Sequence, residues 1–262
     1  MFEYMITKYD QSQRDETGRY VGPSSWTCYS DAGKKFDGKT LTLKECLLVE
    51  EKYIDAAIKL FDLSKLPYLR LTRVKFHEAI KNEVRSQGEP LYDPEFELID
   101  FSEDAKILPE NLRIVLKMIF RGYGWASLEW KNKFYVHIGW DFYMYIGITS
   151  EDQNILNDIR SSGLYVDHDK PSPYMAFNLA TNILHIERIV IGEEYIDEGF
   201  EINLSSDFLE KLKPLWKFSD EHPFLGTWKM NSNDKDALEE VINHKLDFNT
   251  YDYYIETVGW DN

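Results

Sequence analysis

The tightest grouping of potential metal ligands in the chain is Asp167-His168-Asp169. Carboxylates and imidazole are the ligand types a divalent cation takes from protein. On a strand, positions 167 and 169 share one face and 168 takes the other, so a three-ligand site here requires a loop. Lys170 and Pro171 follow directly and favour a solvated turn. His185 and Glu187 also fall on one strand face and could contribute a ligand pair, with no partner placed by sequence; Asp167, His168, Asp169 and His185 together would give a metal-dependent hydrolase. His137 and Asp141 could form an acid–base pair, although alternation gives His137 a half-buried aromatic position instead. The adjacent carboxylates Glu193-Glu194 and Asp197-Glu198 could raise each other's pKa as a dyad does, or form an exposed acidic loop. The chain has no GxGxxG, P-loop, GxSxG or HExxH motif. Cys28 and Cys46 fit no zinc or redox spacing, and neither has a neighbouring His to activate it. No cofactor is implied.

The elements that must position these residues centre on Phe134 to Thr149, FYVHIGWDFYMYIGIT. Phe134, Val136 and Ile138 alternate with Tyr135 and His137, and the alternation resumes through Phe142, Met144 and Ile146. Gly139 and Asp141 suit the bend of a tight hairpin or bulged strand. Aromatics on both faces place this ribbon at the centre of a sheet.

Around it, strands are expected at Glu3 to Tyr9, Trp26 to Gly33, Tyr68 to Phe76, Glu95 to Phe101, Trp125 to Trp130, Leu164 to Val166, Asn182 to Ile191, Glu201 to Leu204 and Tyr251 to Val258. Thr42 and Glu45 form a capping box ahead of a helix running from about Leu43 to Phe61. A second helix starts near Pro109 and stops at Gly122. Ser150 and Gln153 suggest a third, running through Arg160 and ended by Gly163. Shorter helices fit Ala79 to Arg85, Ser206 to Lys213 and Asp234 to Leu246. The sum is an α+β fold, a central antiparallel or mixed β-sheet with several helices packed on it. Residues 1–262 read as one domain, or as two lobes parting near 86–108, where Gly88, Pro90 and Pro94 cluster.

Composition narrows the function. With 46 acidic and 30 basic residues the net charge is −16, and Glu193 to Asn262 holds 17 acidic and 6 basic residues, a net of −11. So negative a surface repels nucleic acid and anionic lipid, and it draws in a cationic partner or simply confers solubility. No apolar run reaches the ~20 residues of a membrane span, and the N-terminus is charged from its third residue, so the chain reads as a reduced cytoplasmic protein.

The stretch Val136-His137-Ile138-Gly139-Trp140-Asp141-Phe142-Tyr143-Met144-Tyr145-Ile146-Gly147 resembles a segment of bacterial immunity proteins, the cytoplasmic partners of contact-dependent and other polymorphic toxins. Met5 to Asp10, Trp26 to Gly33, Gly163 to Val166 and Ser172-Pro173-Tyr174 are similar to the same pattern, with Trp140 where Tyr is usual and Ala32 where Ile is usual. The resemblance implies a protein without catalysis that neutralises a cognate cationic toxin domain, often a nuclease. Carboxylates then occupy the places of phosphates, and Tyr or Trp anchors form the dry centre. The acidic candidates for that contact are Glu193, Glu194, Asp197, Glu198, Asp234, Asp236, Glu239 and Glu240. Each could equally be part of a solvated face.

Overall fold

A computed structural model of the chain describes residues 1–75, 78–130, 132–173, 183–192, 196–203 and 227–256. In chain order it contains β1 (Phe2–Thr7), β2 (Lys35–Phe36), β3 (Lys39–Thr40), α1 (Leu43–Ser64), β4 (Leu69–Lys75), α2 (Glu78–Gln87), β5 (Lys106–Ile107) and α3 (Pro109–Phe120). Then come β6 (Trp125–Trp130), β7 (Phe134–Ile138), β8 (Met144–Ile148), α4 (Gln153–Ser161), β9 (Tyr165–His168), β10 (Ile183–Val190), β11 (Ile196–Asn203), β12 (Thr227–Lys229), α5 (Lys235–Ile242) and β13 (Tyr251–Glu256). The fold is α+β. Seven strands form one sheet in the order β5-β4-β6-β7-β8-β1-β9, and four form a second in the order β11-β10-β13-β12. The paired strands of both sheets run antiparallel.

The aromatic ribbon is the centre of the larger sheet. β7 is its middle strand, and all five β7 residues are buried. One face carries the apolar half of the alternation: Leu128, Phe134, Val136, Met144, Ile146, Tyr4, Ile6 and Val166. α1, α3 and α4 cover that face, with Ile54, Ala57, Leu60 and Phe61 of α1 and Leu112, Val115, Leu116 and Ile119 of α3 in the same core. α1 begins as its capping box dictates, since Thr42 accepts from the Glu45 amide and Glu45 reaches back to the Thr42 amide. Gly122, at φ 72°, takes the left-handed conformation that stops the chain after α3.

The opposite face is polar, and strand register lays it out in rows. Ser127, His137, Tyr145, Met5 and Asp167 stand in one row across β6, β7, β8, β1 and β9. Glu129, Tyr135, Gly147 and Glu3 form the next. The second sheet has its own small core of Ile186, Met230, Leu238, Ile242, Leu246, Tyr253 and Ile255, with α5 packed on it.

Several expected elements are corrected. Trp26 to Gly33 is not a strand but a loop with a 3-10 turn at Tyr29–Asp31, closed by the Asp31 carboxylate accepting from the Thr27 amide at 2.8 Å. Glu95 to Phe101 is likewise not a strand. Asp93 caps a 3-10 turn at Pro94–Leu98, with Pro94 opening it and Phe96 buried beneath. The N-cap of α4 is Asp152, which accepts from the Asn154 amide, and not Ser150. α5 stops at Ile242 because Asn243 turns left-handed. The helix expected at Ser206 to Lys213 lies outside the described residues. Segment 86–108, where two lobes could part, packs on the first core through Phe96, Phe101, Ala105 and Ile107.

Candidate functional site

The described polar side chains with the most connected chemistry lie on the polar face of the large sheet. Glu129 and His137 face each other across β6 and β7, offset by one row, and His137 Nε2 is 3.0 Å from a Glu129 carboxylate oxygen. On its other side the ring reaches Ser172, with Nδ1 2.7 Å from the hydroxyl. Arg73 closes the chain, its guanidinium 3.0 Å from the same carboxylate oxygen.

Arg73 arrives there through a bulge. The β4–β6 register shifts between Thr72 and Lys75, and Arg73 adopts φ 55°. The Glu103 carboxylate accepts from the amides of Arg73 and Val74 at 3.0 and 2.7 Å, supplying the bonds the ladder gives up. Such a bulge re-aims a side chain, here sending a cation under the sheet.

All four side chains are buried. Arg73 and His137 are each 1 % exposed, Ser172 2 % and Glu129 7 %. Burial acts to raise the Glu129 carboxyl, but its interactions with His137 first, and then the Arg73 charge, outweigh it and hold it below its ordinary 4.5. Burial pushes His137 below its ordinary 6.5 against the pull of Glu129. The ring is therefore neutral, and the tautomer that suits both neighbours donates from Nε2 to Glu129 and accepts at Nδ1 from Ser172. Tyr135 stacks on this ring at 4.5 Å, donates to Glu3 and accepts from the Ser172 amide. The order hydroxyl, imidazole, carboxylate has the connectivity of an activated nucleophile. With its hydroxyl and ring sealed from solvent, it acts here as a cross-link between β6, β7, the β4 bulge and the chain at Ser172. His137 takes an inward strand position, as alternation gave it, and forms no pair with Asp141, which lies on an exposed corner while Glu129 and Ser172 take both ring nitrogens.

The proposed metal ligands are not brought together. Asp167 and His168 belong to strand β9, not to a turn. The Asp167 carboxylate faces Arg14 at 3.6 Å, while His168 packs edge-on against Tyr4 and lies 2.8 Å from the Arg160 guanidinium. Asp169 is an exposed left-handed residue after the strand. His185 is on β10 in the other sheet, its ring against Gly199. Among the described residues no three His, Cys, Asp or Glu side chains form a group that could hold a metal ion.

The acidic candidates divide. Glu193 and Glu194 lie outside the described residues. Asp197 and Glu198 are on the edge strand β11, with Glu198 in register with Arg188. Asp234 is the N-cap of α5, and Asp236 and Glu240 are exposed on that helix. Glu239 turns inward: it accepts from the Leu246 amide at 2.8 Å and from Lys245 at 2.5 Å, with Lys235 at 3.7 Å. Those bonds hold its carboxyl below the usual range, and its place is in fixing the end of α5 more than in facing a partner. Asp236, Glu239 and Glu240, with Asn243, His244 and Lys245, line an open cleft of about 410 Å³.

Sequence reasoning passed over Glu129, Arg73 and Ser172. Glu129 was within reach of pattern, since it shares the polar half of the WASLEW alternation with Ser127. Arg73 depends on a bulge and Ser172 on a contact 35 positions distant, and neither has a local signal.

A family model described as a domain of unknown function, DUF7683, matches residues 197–256. That segment spans β11, β12, α5 and β13 of the smaller sheet. No curated protein and no solved structure matches the chain. No helix among the described residues is long and apolar enough to cross a membrane.

Proposed function

We propose that this protein is an immunity protein: it binds a basic toxin domain, blocks it, and performs no chemistry of its own. The observation that carries this reading is the charge, −16 overall and −11 within the last seventy positions. A field of that sign steers a cationic domain into contact and discourages nucleic acid and anionic membranes. The similarity of the aromatic ribbon to bacterial immunity proteins supports the same reading, and with it a cytoplasmic protein that acts where the toxin would. Asp236 and Glu240 are exposed carboxylates on α5, and they suit contacts with toxin Arg and Lys. A hydrolase built on Asp167, His168, Asp169 and His185 has no support in the geometry, since among the described residues these side chains form no group that could hold a metal ion.

The test is co-expression with the C-terminal domain of the polypeptide encoded beside this chain. A one-to-one complex in which the toxin's activity is lost supports the reading. A soluble, folded domain that forms no complex at low salt refutes it.

A further inference from the structure

The corner between β7 and β8 combines exposure with backbone strain. Trp140 is 80 % exposed, and among the described residues its indole has no ring, cation or hydrogen-bonding partner. Asp141 beside it is exposed too. Asp141 and Phe142 are consecutive non-glycine residues at φ 58° and 60°, a conformation that costs energy in each and is unusual for Phe.

The strain is held by the core. Phe142 is 5 % exposed, its ring centroid lying 4.8 Å from Trp26, 5.7 Å from Tyr29, 5.8 Å from Tyr53 and 5.5 Å from Phe120. Its carbonyl accepts from the buried Tyr53 hydroxyl at 2.7 Å. The Gly139 amide and Tyr143 carbonyl close the corner at 2.8 Å. The core therefore fixes the backbone that carries the large exposed aromatic, which lowers the ordering cost of binding through it.

The surroundings already use one kind of contact, a cation against an aromatic face. Lys8 Nζ lies 4.3 Å from the Tyr9 ring centroid and 4.1 Å from that of Trp26, and Arg14 lies over Tyr143 at 5.2 Å. A net charge of −16 disfavours a second copy of the chain or an anionic lipid surface at this corner and favours a cation.

We propose that the Trp140–Asp141 corner is the anchor of the toxin interface, where an arginine or lysine of the basic partner domain packs on the indole and pairs with the carboxylate. This rests on the immunity reading and locates its desolvated centre at the β7–β8 corner of the large sheet.

The test measures binding of the co-expressed neighbouring toxin domain to wild type, Trp140→Ala and Asp141→Asn. Trp140→Ala, at an exposed site, should leave the melting temperature unchanged and weaken binding by about 30-fold or more. Asp141→Asn keeps a residue tolerant of left-handed φ while removing the charge, and should weaken binding a few-fold with a shallower salt dependence. In the wild-type complex, hydroxyl-radical oxidation of Trp140 should fall several-fold relative to the free chain. Trp140→Ala binding within about twofold of wild type, or Trp140 oxidised equally in the complex, overturns the anchor while leaving the immunity reading intact. A wild-type chain that forms no complex overturns both.

Discussion

Replacing His137 by Gln separates titration from hydrogen bonding in the buried polar network. The Gln amide can donate to Glu129 and accept from Ser172, as the neutral ring does across 3.0 and 2.7 Å. What it loses is the stack on Tyr135 at 4.5 Å, a cost of about 1 kcal/mol at neutral pH. The larger consequence is in pH dependence. Burial keeps the folded ring below its ordinary 6.5, so below that pH the unfolded chain binds a proton that the folded one does not. Wild-type stability from this ring is full above 6.5 and falls with acidification. For a ring that stays neutral when folded, the loss between about pH 7.5 and about pH 5.5 approaches ~1.4 kcal/mol. Glu129, held below its ordinary 4.5, contributes across that interval and loses its share only in stronger acid. Urea denaturation of both proteins at the two pH values measures the effect. The wild-type advantage over His137→Gln should shrink by up to ~1.4 kcal/mol on acidification. An advantage that stays constant, or grows, would mean that the folded ring titrates normally or is held charged by Glu129, and the neutral-ring account would be wrong.

Phe142→Ala removes a ring packed against four others and should cost about 3–5 kcal/mol in urea denaturation; a loss below about 1 kcal/mol would show that the corner is not anchored by the core. A Cβ at Gly147 would sit 2.1 Å from the Tyr135 ring and 2.6 Å from Met1 Sδ, so Gly147→Ala should destabilise by about 1–3 kcal/mol. Thermal melting checks this, and an unchanged midpoint refutes the close approach. The double variant Asp236→Asn/Glu240→Gln changes exposed carboxylates, so the melting temperature should hold while association with the toxin domain slows several-fold at low salt. Unchanged association would remove α5 from the steering surface.

Period-two alternation was enough to identify the centre of the fold. Phe134 to Ile138 and Met144 to Ile148 are adjacent strands, covered on both faces as their aromatics required. Helix ends followed from local chemistry where a cap was unambiguous, as at Thr42 and Gly122. Where two acceptors competed, as Ser150 and Asp152 do ahead of α4, the pattern alone selected the wrong one. The hairpin of β2 and β3 turns on Asp37-Gly38, both at positive φ, a local signal that was present and passed over. Short apolar runs misled at Trp26 to Gly33 and Glu95 to Phe101, because Asp31 and Asp93 bond nearby amides and close 3-10 turns instead. The buried network was less legible. His137 stood out as a residue, but its partners come from a strand register, a bulge and a segment 35 positions away. Likewise no sequence pattern separates Glu239, tied to Lys245 and the Leu246 amide, from the exposed Glu240 that follows it.

The most direct test of toxin capture is the association rate of the wild-type chain with the neighbouring-gene toxin domain as salt is raised. Electrostatic steering by a chain of net charge −16 should give fast binding at low salt, falling by about tenfold or more over one decade of ionic strength, and a one-to-one complex without toxin activity. A folded toxin domain that fails to associate at low salt, or that associates at a rate indifferent to salt, would contradict the proposal that this acidic protein captures a basic toxin.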